Sequence, residues 1–186
     1  MVTPSLFETP NKKMKNDYDK LKGGDLRSIG RVDEVVRKRK NQQDFDILFQ
    51  GLFHSDRTVV MRTADAIEKI TIRYPAYLAS HKKDLIQAAM KECPIELKWH
   101  LALLVSRIPL TALELKKIWQ RLTDWVQDKR ESKIVRVNSL QSLFDLSGKN
   151  SILKKDFDRI LTGIMEENIP SLKARIKRFN LKKAEE

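Results

Sequence analysis

Cysteine, glycine and proline are all scarce in this chain of 186 residues, with one, six and six copies respectively. A single cysteine, Cys93, excludes an intrachain disulfide and fits a reducing compartment. So few turn-forming residues leave little room for the many hairpins of a β-sandwich or barrel. No apolar run approaches the roughly 20 residues that a membrane-spanning helix needs, and the N-terminal residues lack the basic-then-apolar order of a secretory signal. The expectation is a cytoplasmic protein without a membrane partner. What the chain does have is charge, 33% of its residues, beside a hydrophobic fraction of 41%. That balance fits a folded all-α protein of about one domain's length.

The net charge of +12 is unevenly spread. Residues 1–43 carry 11 basic and 6 acidic side chains, residues 44–128 carry 12 and 11, and residues 129–186 carry 14 and 8. The middle is almost neutral. The positive field therefore belongs to the two ends, where it can attract acidic partners or simply keep the chain soluble.

Residues 1–27 contain two prolines, the pair Gly23-Gly24 and no sustained apolar period, so a flexible basic tail is expected, followed by one folded domain over 28–186. From Ser28, a candidate N-cap, Ile29, Val32, Val35 and Val36 share one face of a short capping helix whose basic end is Arg37–Lys40. Phe45, Leu48, Phe49 and Leu52 then mark a helix at positions i, i+3, i+4 and i+7. Further helices are predicted near 58–74, 82–91 and 95–108, stopped by Pro75, Pro94 and Pro109. Thr111 and Glu114 form a T-x-x-E capping box for a helix carrying Ile118, Trp119, Leu122 and Trp125. Residues 132–147, a helix from Ser151, and a basic helix after Pro170 complete nine helices, eight of them in four pairs.

Sliding the chain against itself aligns the second helices of the first three pairs on Val59, Leu97 and Val135, each 38 residues from the last. A fixed period of this size marks stacked helical repeats. In that register the core positions are Ala64, Ala66, Ile67 and Ile70, then Ala102, Leu104, Val105 and Ile108, then Leu140, Ser142, Leu143 and Leu146. The residue after the anchor is Val60, Lys98 or Arg136, and the fourth pair restates the pattern as Leu172-Lys173. No single pair covers its own apolar stripe, while neighbours packed side by side bury a continuous core with polar ends.

The stretches SDRTVVMRTADAIEKI, CPIELKWHLALLVSRI, ESKIVRVNSLQSLFDLS and IPSLKARIKRF together resemble HEAT repeats. Those repeats open their second helix with an acidic or proline turn and a Val-Arg pair. The resemblance covers about residues 44 to 180 and implies an α-α superhelix, a solenoid of about four helix pairs plus an N-terminal capping helix. It also implies that the second helices line a concave face used to hold other macromolecules. Arg136 is expected at an interhelical turn, bonding a carboxylate or a free carbonyl.

Beside the core positions, the same register sets the remaining residues in rows. Met61, Trp99, Val137 and Ala174 form one row, and Arg62, His100, Asn138 and Arg175 another. Asp65, Leu103, Gln141 and Arg178 follow, then Glu68, Ser106 and Phe144. An apolar strip of Trp99, Leu103, Val137 and Phe144 is expected, edged by polar residues and anchored by Trp99 in a protein or peptide partner. A tail folded back over this strip is the alternative. Trp119 and Trp125 are expected in the core.

Chemistry-bearing patterns are few. His54, His81 and His100 stand at no metal-ligand spacing with Cys93, and no phosphate-binding glycine loop or nucleophile elbow occurs. Glu92 and Glu96 beside Cys93 disfavour a reactive thiolate. A non-catalytic scaffold with no metal or cofactor is therefore expected. The alternative is weak nucleic-acid binding through Lys129, Arg130, Lys133 and Arg136 with Lys173, Arg175, Lys177 and Arg178. Alkylpurine DNA glycosylases are also HEAT-like, and Asp145 or Asp65 with Trp99 and Arg62 could supply their acid, aromatic and arginine. No local motif of that family is present.

Overall fold

The computed structural model describes residues 18–22, 31–38, 41–148 and 151–185, with side chains in the last helix as far as Phe179. The chain is all-helical, with no strand among the described residues. It divides into two compact units, Met1–Arg73 and Tyr74–Glu186, where the sequence predicted one domain over 28–186.

The first unit contains α1 (Val32–Arg37), α2 (Gln42–Phe49) with a 3-10 turn at Gln50–Phe53, and α3 (Arg57–Arg73). Asn41 caps α2 by accepting the Asp44 N–H at 2.8 Å. α1 and the 3-10 turn pack on α3, burying Val32 and Val35 with Phe45, Leu48, Val59 and Ile67. Of the expected capping helix, Ser28, Ile29, Arg39 and Lys40 lie outside the described residues. So do residues 1–17 and 23–27 of the expected tail, but residues 18–22 do not behave as a tail. Residues 18–21 form one helical turn with Tyr18 and Leu21 buried. The Tyr18 hydroxyl donates to the Ile47 carbonyl at 3.4 Å, and Arg62, 1% exposed, donates to the Leu21 carbonyl at 2.7 Å and the Lys22 carbonyl at 3.2 Å. Gly51 permits this approach: a Cβ there would run into Thr63 and stand 2.9 Å from the Tyr18 ring.

The second unit holds a 3-10 turn (Pro75–His81) and six α-helices: α4 (Lys82–Met90), α5 (Ile95–Leu104), α6 (Ala112–Gln127), α7 (Lys133–Ser147), α8 (Ser151–Glu166) and α9 (Pro170–Glu185). α4 packs on α5 and α6, α7 packs on α5, α6, α8 and α9, and α8 packs on α9. Consecutive helices are joined by short links. The predicted capping box is present in full, with Thr111 Oγ accepting the Glu114 N–H and the Glu114 carboxylate accepting the Thr111 N–H. Every anchor and core position of the 38-residue register is buried, from Val59, Leu97 and Val135 through Ile70, Ile108 and Leu146. On α9 Leu172, Ile176 and Phe179 are buried, whereas Lys177, five steps from Leu172 where the register has a core position, is exposed.

Both core tryptophans are buried. The Trp119 indole N–H donates to Asp156 at 2.7 Å, tying α6 to α8, and the Trp125 ring lies under Lys98 and Arg121. Arg136 occupies the predicted kind of place. Only 2% exposed, it leaves α7 to donate to the Val126 carbonyl in the last turn of α6 at 2.7 Å and to Glu167, just past α8, at 2.8 Å. That satisfies one of the helix-end carbonyls that lack an intrahelical partner.

Arg136→Ala strands the Val126 carbonyl and the little-exposed Glu167 carboxylate, and should lower unfolding free energy by about 3 kcal/mol in chemical denaturation. A second outcome concerns acid. Lys20, Lys38 and Arg31 surround the Glu34 carboxylate, and above all its hydrogen bond with Lys20 draws its pKa from 4.5 to about 2. A depressed folded-state pKa stabilises fully above the unfolded value and is lost as pH falls through the folded one. Between pH 4.5 and about 2 the 18–22 turn should therefore loosen, seen as faster exchange of the Lys22 amide, which bonds the Tyr18 carbonyl.

Candidate functional site

Three helices of the second unit, α5, α7 and α9, pack in succession and present the residues that the register left outside the core. α7 begins at Ser132, whose hydroxyl accepts the Val135 N–H at 3.2 Å and also the Trp99 indole N–H at 3.1 Å. One serine thus caps α7 and fixes a tryptophan of α5. One turn along, the Asn138 amide donates to the Trp99 carbonyl at 2.9 Å, and beyond it the Ser142 hydroxyl donates to the Ala102 carbonyl. On the far side, Gln141 accepts from Arg175 of α9 at 2.8 Å and donates to Asp145 at 2.8 Å. Ser132, Asn138, Gln141, Ser142 and Arg175 thus each bridge to the helix beside them or to their own.

Trp99, His100, Leu103, Val137, Asn138, Gln141, Phe144 and Arg175 are all half-buried. With the polar groups engaged among themselves, the remaining accessible surface of Trp99, Leu103 and Val137 is apolar. Phe144 differs from its expected role as an open strip residue. Its ring stacks on Phe179 at 4.2 Å, with Phe157 5.9 Å away, so it serves as a wall between α7, α8 and α9. Trp99 too is more deeply set than a bare anchor, its N–H already satisfied by Ser132.

Met61 and Arg62, expected on the same open rows, belong to the first unit and are buried there. Both lie on α3, and Arg62 is occupied by the terminal carbonyls of the helical turn at 18–21. That turn is part of the predicted tail. YDKL, residues 18–21, carried the available signal, two apolar residues at i and i+3, but four residues are too few to set a period.

The basic set is distributed differently from a single patch. Lys129, Arg130, Lys133, Lys173, Lys177 and Arg178 are exposed, while Arg136 is buried and structural. Arg130 pairs with Asp128 at 3.1 Å, and Lys173 with Asn168. Arg175 is half-buried, and burial together with neighbouring Arg178 pushes its pKa down, against the pull of Asp145. The paper assembly of a glycosylase site loses its arginine, since Arg62 is enclosed, while Asp145 is held by Gln141.

Elsewhere the surface offers two open clefts. One of about 260 Å³ lies between the end of α6 and α8 and is lined by Lys129, Arg159, Gly163 and Glu166 among others. The second, about 250 Å³, is lined by Met165, Lys173, Ile176 and Lys177. Neither holds a histidine or cysteine, and no group of three potential metal ligands occurs among the described residues. Cys93 is half-buried, and desolvation, more than its acidic neighbour, raises its thiol pKa.

Two tryptophans on α5 and α6 should separate by stability. Trp119→Ala opens a buried space and strands Asp156, costing roughly 3–5 kcal/mol, whereas Trp99→Ala at its half-buried site should cost about 2 kcal/mol. Trp99→Phe, which removes little beyond the Ser132 hydrogen bond, should cost about 1 kcal/mol, all three read from denaturant midpoints. No family model matches the chain, and no curated protein and no solved structure matches it.

Proposed function

We propose that this chain is a non-catalytic HEAT-like α-solenoid module that holds a helix or an extended peptide of a protein partner on the face of α5, α7 and α9. The observation that carries this reading is the state of that face's polar groups. Asn138, Gln141, Arg175 and the Trp99 indole are paired with neighbouring helices, so what Trp99, Leu103 and Val137 still offer is apolar area. Burying such area, with aromatic anchors set in a rigid frame, is how helix-in-groove recognition gains affinity. The regular burial of the 38-residue register supports the solenoid reading, in which stacked repeats cover one another's apolar stripes. A cytoplasmic setting accords with the lone cysteine. No helix among the described residues is long and apolar enough to cross a membrane.

The runner-up is nucleic-acid binding, favoured by the exposure of Lys129, Lys133, Lys173, Lys177 and Arg178. Such binding would be independent of sequence and would weaken steeply with salt as counterions are released.

Affinity capture from lysate, with and without nuclease, compares the wild type with Leu103→Glu and Val137→Glu. Both sites are half-buried on the face, so thermal midpoints are measured alongside. Specific protein partners that survive nuclease and are lost more than tenfold in both folded variants are the expected result. Recovery that vanishes with nuclease, or that ignores both variants, would transfer the function to the basic surface.

A further inference from the structure

The outer helices carry a second repeated pattern. Leu115-Lys116-Lys117 on α6 recurs 38 residues later as Leu153-Lys154-Lys155 on α8, and all four lysines are exposed. α6 and α8 lie on either side of α7 in the chain, and each packs on it. The Trp119–Asp156 hydrogen bond at 2.7 Å fixes their relative level. One helical turn before this bridge stand Leu115 and Lys116 on α6 and Ile152 and Leu153 on α8. Both lysine pairs therefore lie near the N-terminal end of their own helix and within one turn of the bridge that joins the two helices.

At that same end are Leu113, 66% exposed, and Ile152, 75% exposed. They are the two most exposed large apolar side chains of the second unit's described residues. Each lies within one helical turn of a lysine pair. The carboxylates nearby are few or engaged: Glu114 belongs to the capping box and to Lys82, Asp156 accepts from Trp119, and Asp158 is exposed, as is Glu166 at the far end of α8. Neither surface cleft is lined by Leu113, Ile152 or any of the four lysines.

We propose that this end of α6 and α8 rests on an anionic lipid surface, with the lysine pairs at the headgroups and Leu113 and Ile152 reaching the acyl boundary. The combination decides among anionic occupants. Phosphate-backbone binding gains nothing from two protruding aliphatic side chains, and an acidic peptide needs a groove that these residues do not line. A soft planar surface uses both features, since cations near anionic lipid add attraction and inserted aliphatics add apolar burial. Attachment of this kind needs no spanning segment. Several cations and two aliphatic residues make a reversible peripheral contact.

The test sediments the full chain with phosphatidylcholine vesicles, alone or containing about 30% phosphatidylserine, at low and high salt. The wild type should partition at least tenfold more onto the anionic vesicles and release at high salt. Replacing Lys116, Lys117, Lys154 and Lys155 together with Glu should abolish that preference. Leu113→Ser with Ile152→Ser should weaken it several-fold, with helical signal and thermal midpoint retained, and Trp99→Ala should leave it unchanged. The proposal is overturned by a wild type that ignores phosphatidylserine, or by vesicle binding that survives either set of changes in folded protein. Tighter binding of duplex DNA or polyglutamate at the same salt, lost in the same lysine variant, would assign the patch to those partners instead.

Discussion

Unpaired carbonyls at helix ends are what this architecture has to resolve, because short helices meeting in quick succession present many of them close together. Arginines reaching across from another helix supply the donors. Arg62 serves the carbonyls that end the 18–21 turn, Arg121 reaches the Met90 carbonyl at the end of α4, and Arg136 reaches Val126 near the end of α6. A guanidinium suits the task because it keeps its charge and has several donors in a fixed plane, so it can serve a carbonyl and a carboxylate together. Arg136 does this with Val126 and Glu167 and thereby fastens three helices at one point.

The same economy of donors shapes the α5–α7–α9 face. Ser132 ends the problem of one helix N-terminus and one indole at once, and Asn138 and Ser142 reach carbonyls of the neighbouring helix. A face whose polar groups are satisfied internally is stiff, and what it still offers is apolar. Helices α6 and α8 differ: near their N-termini they carry exposed cations and exposed aliphatic side chains. The two surfaces therefore offer different chemistry from one frame.

Much of the frame was legible from residue spacing. The anchors Val59, Leu97 and Val135, the core positions counted from them and the Thr111–Glu114 box are local or periodic features, and a period survives whatever the tertiary details are. The candidate face was read less completely. Trp99, Leu103 and Val137 were placed beside the core, but Phe144 turned inward, because three phenylalanines from α7, α8 and α9 converge and no linear pattern records that.

By itself the sequence determined that the chain is helical, where most helices begin and end, and which stripe of each one is buried, since these follow from caps, prolines and apolar periodicity. Only the tertiary structure decided that residues 18–22 engage Arg62, that Arg62 and Arg136 are enclosed while Lys129 and Lys177 stay exposed, and that Leu113 and Ile152 stay exposed near lysines. The physical reason is that periodicity reports which side of a helix is apolar, whereas exposure depends on which other segment lies over it. That is set by contacts across 31 to 41 residues, as in the bonds of Arg136 to Glu167 and Arg62 to Leu21.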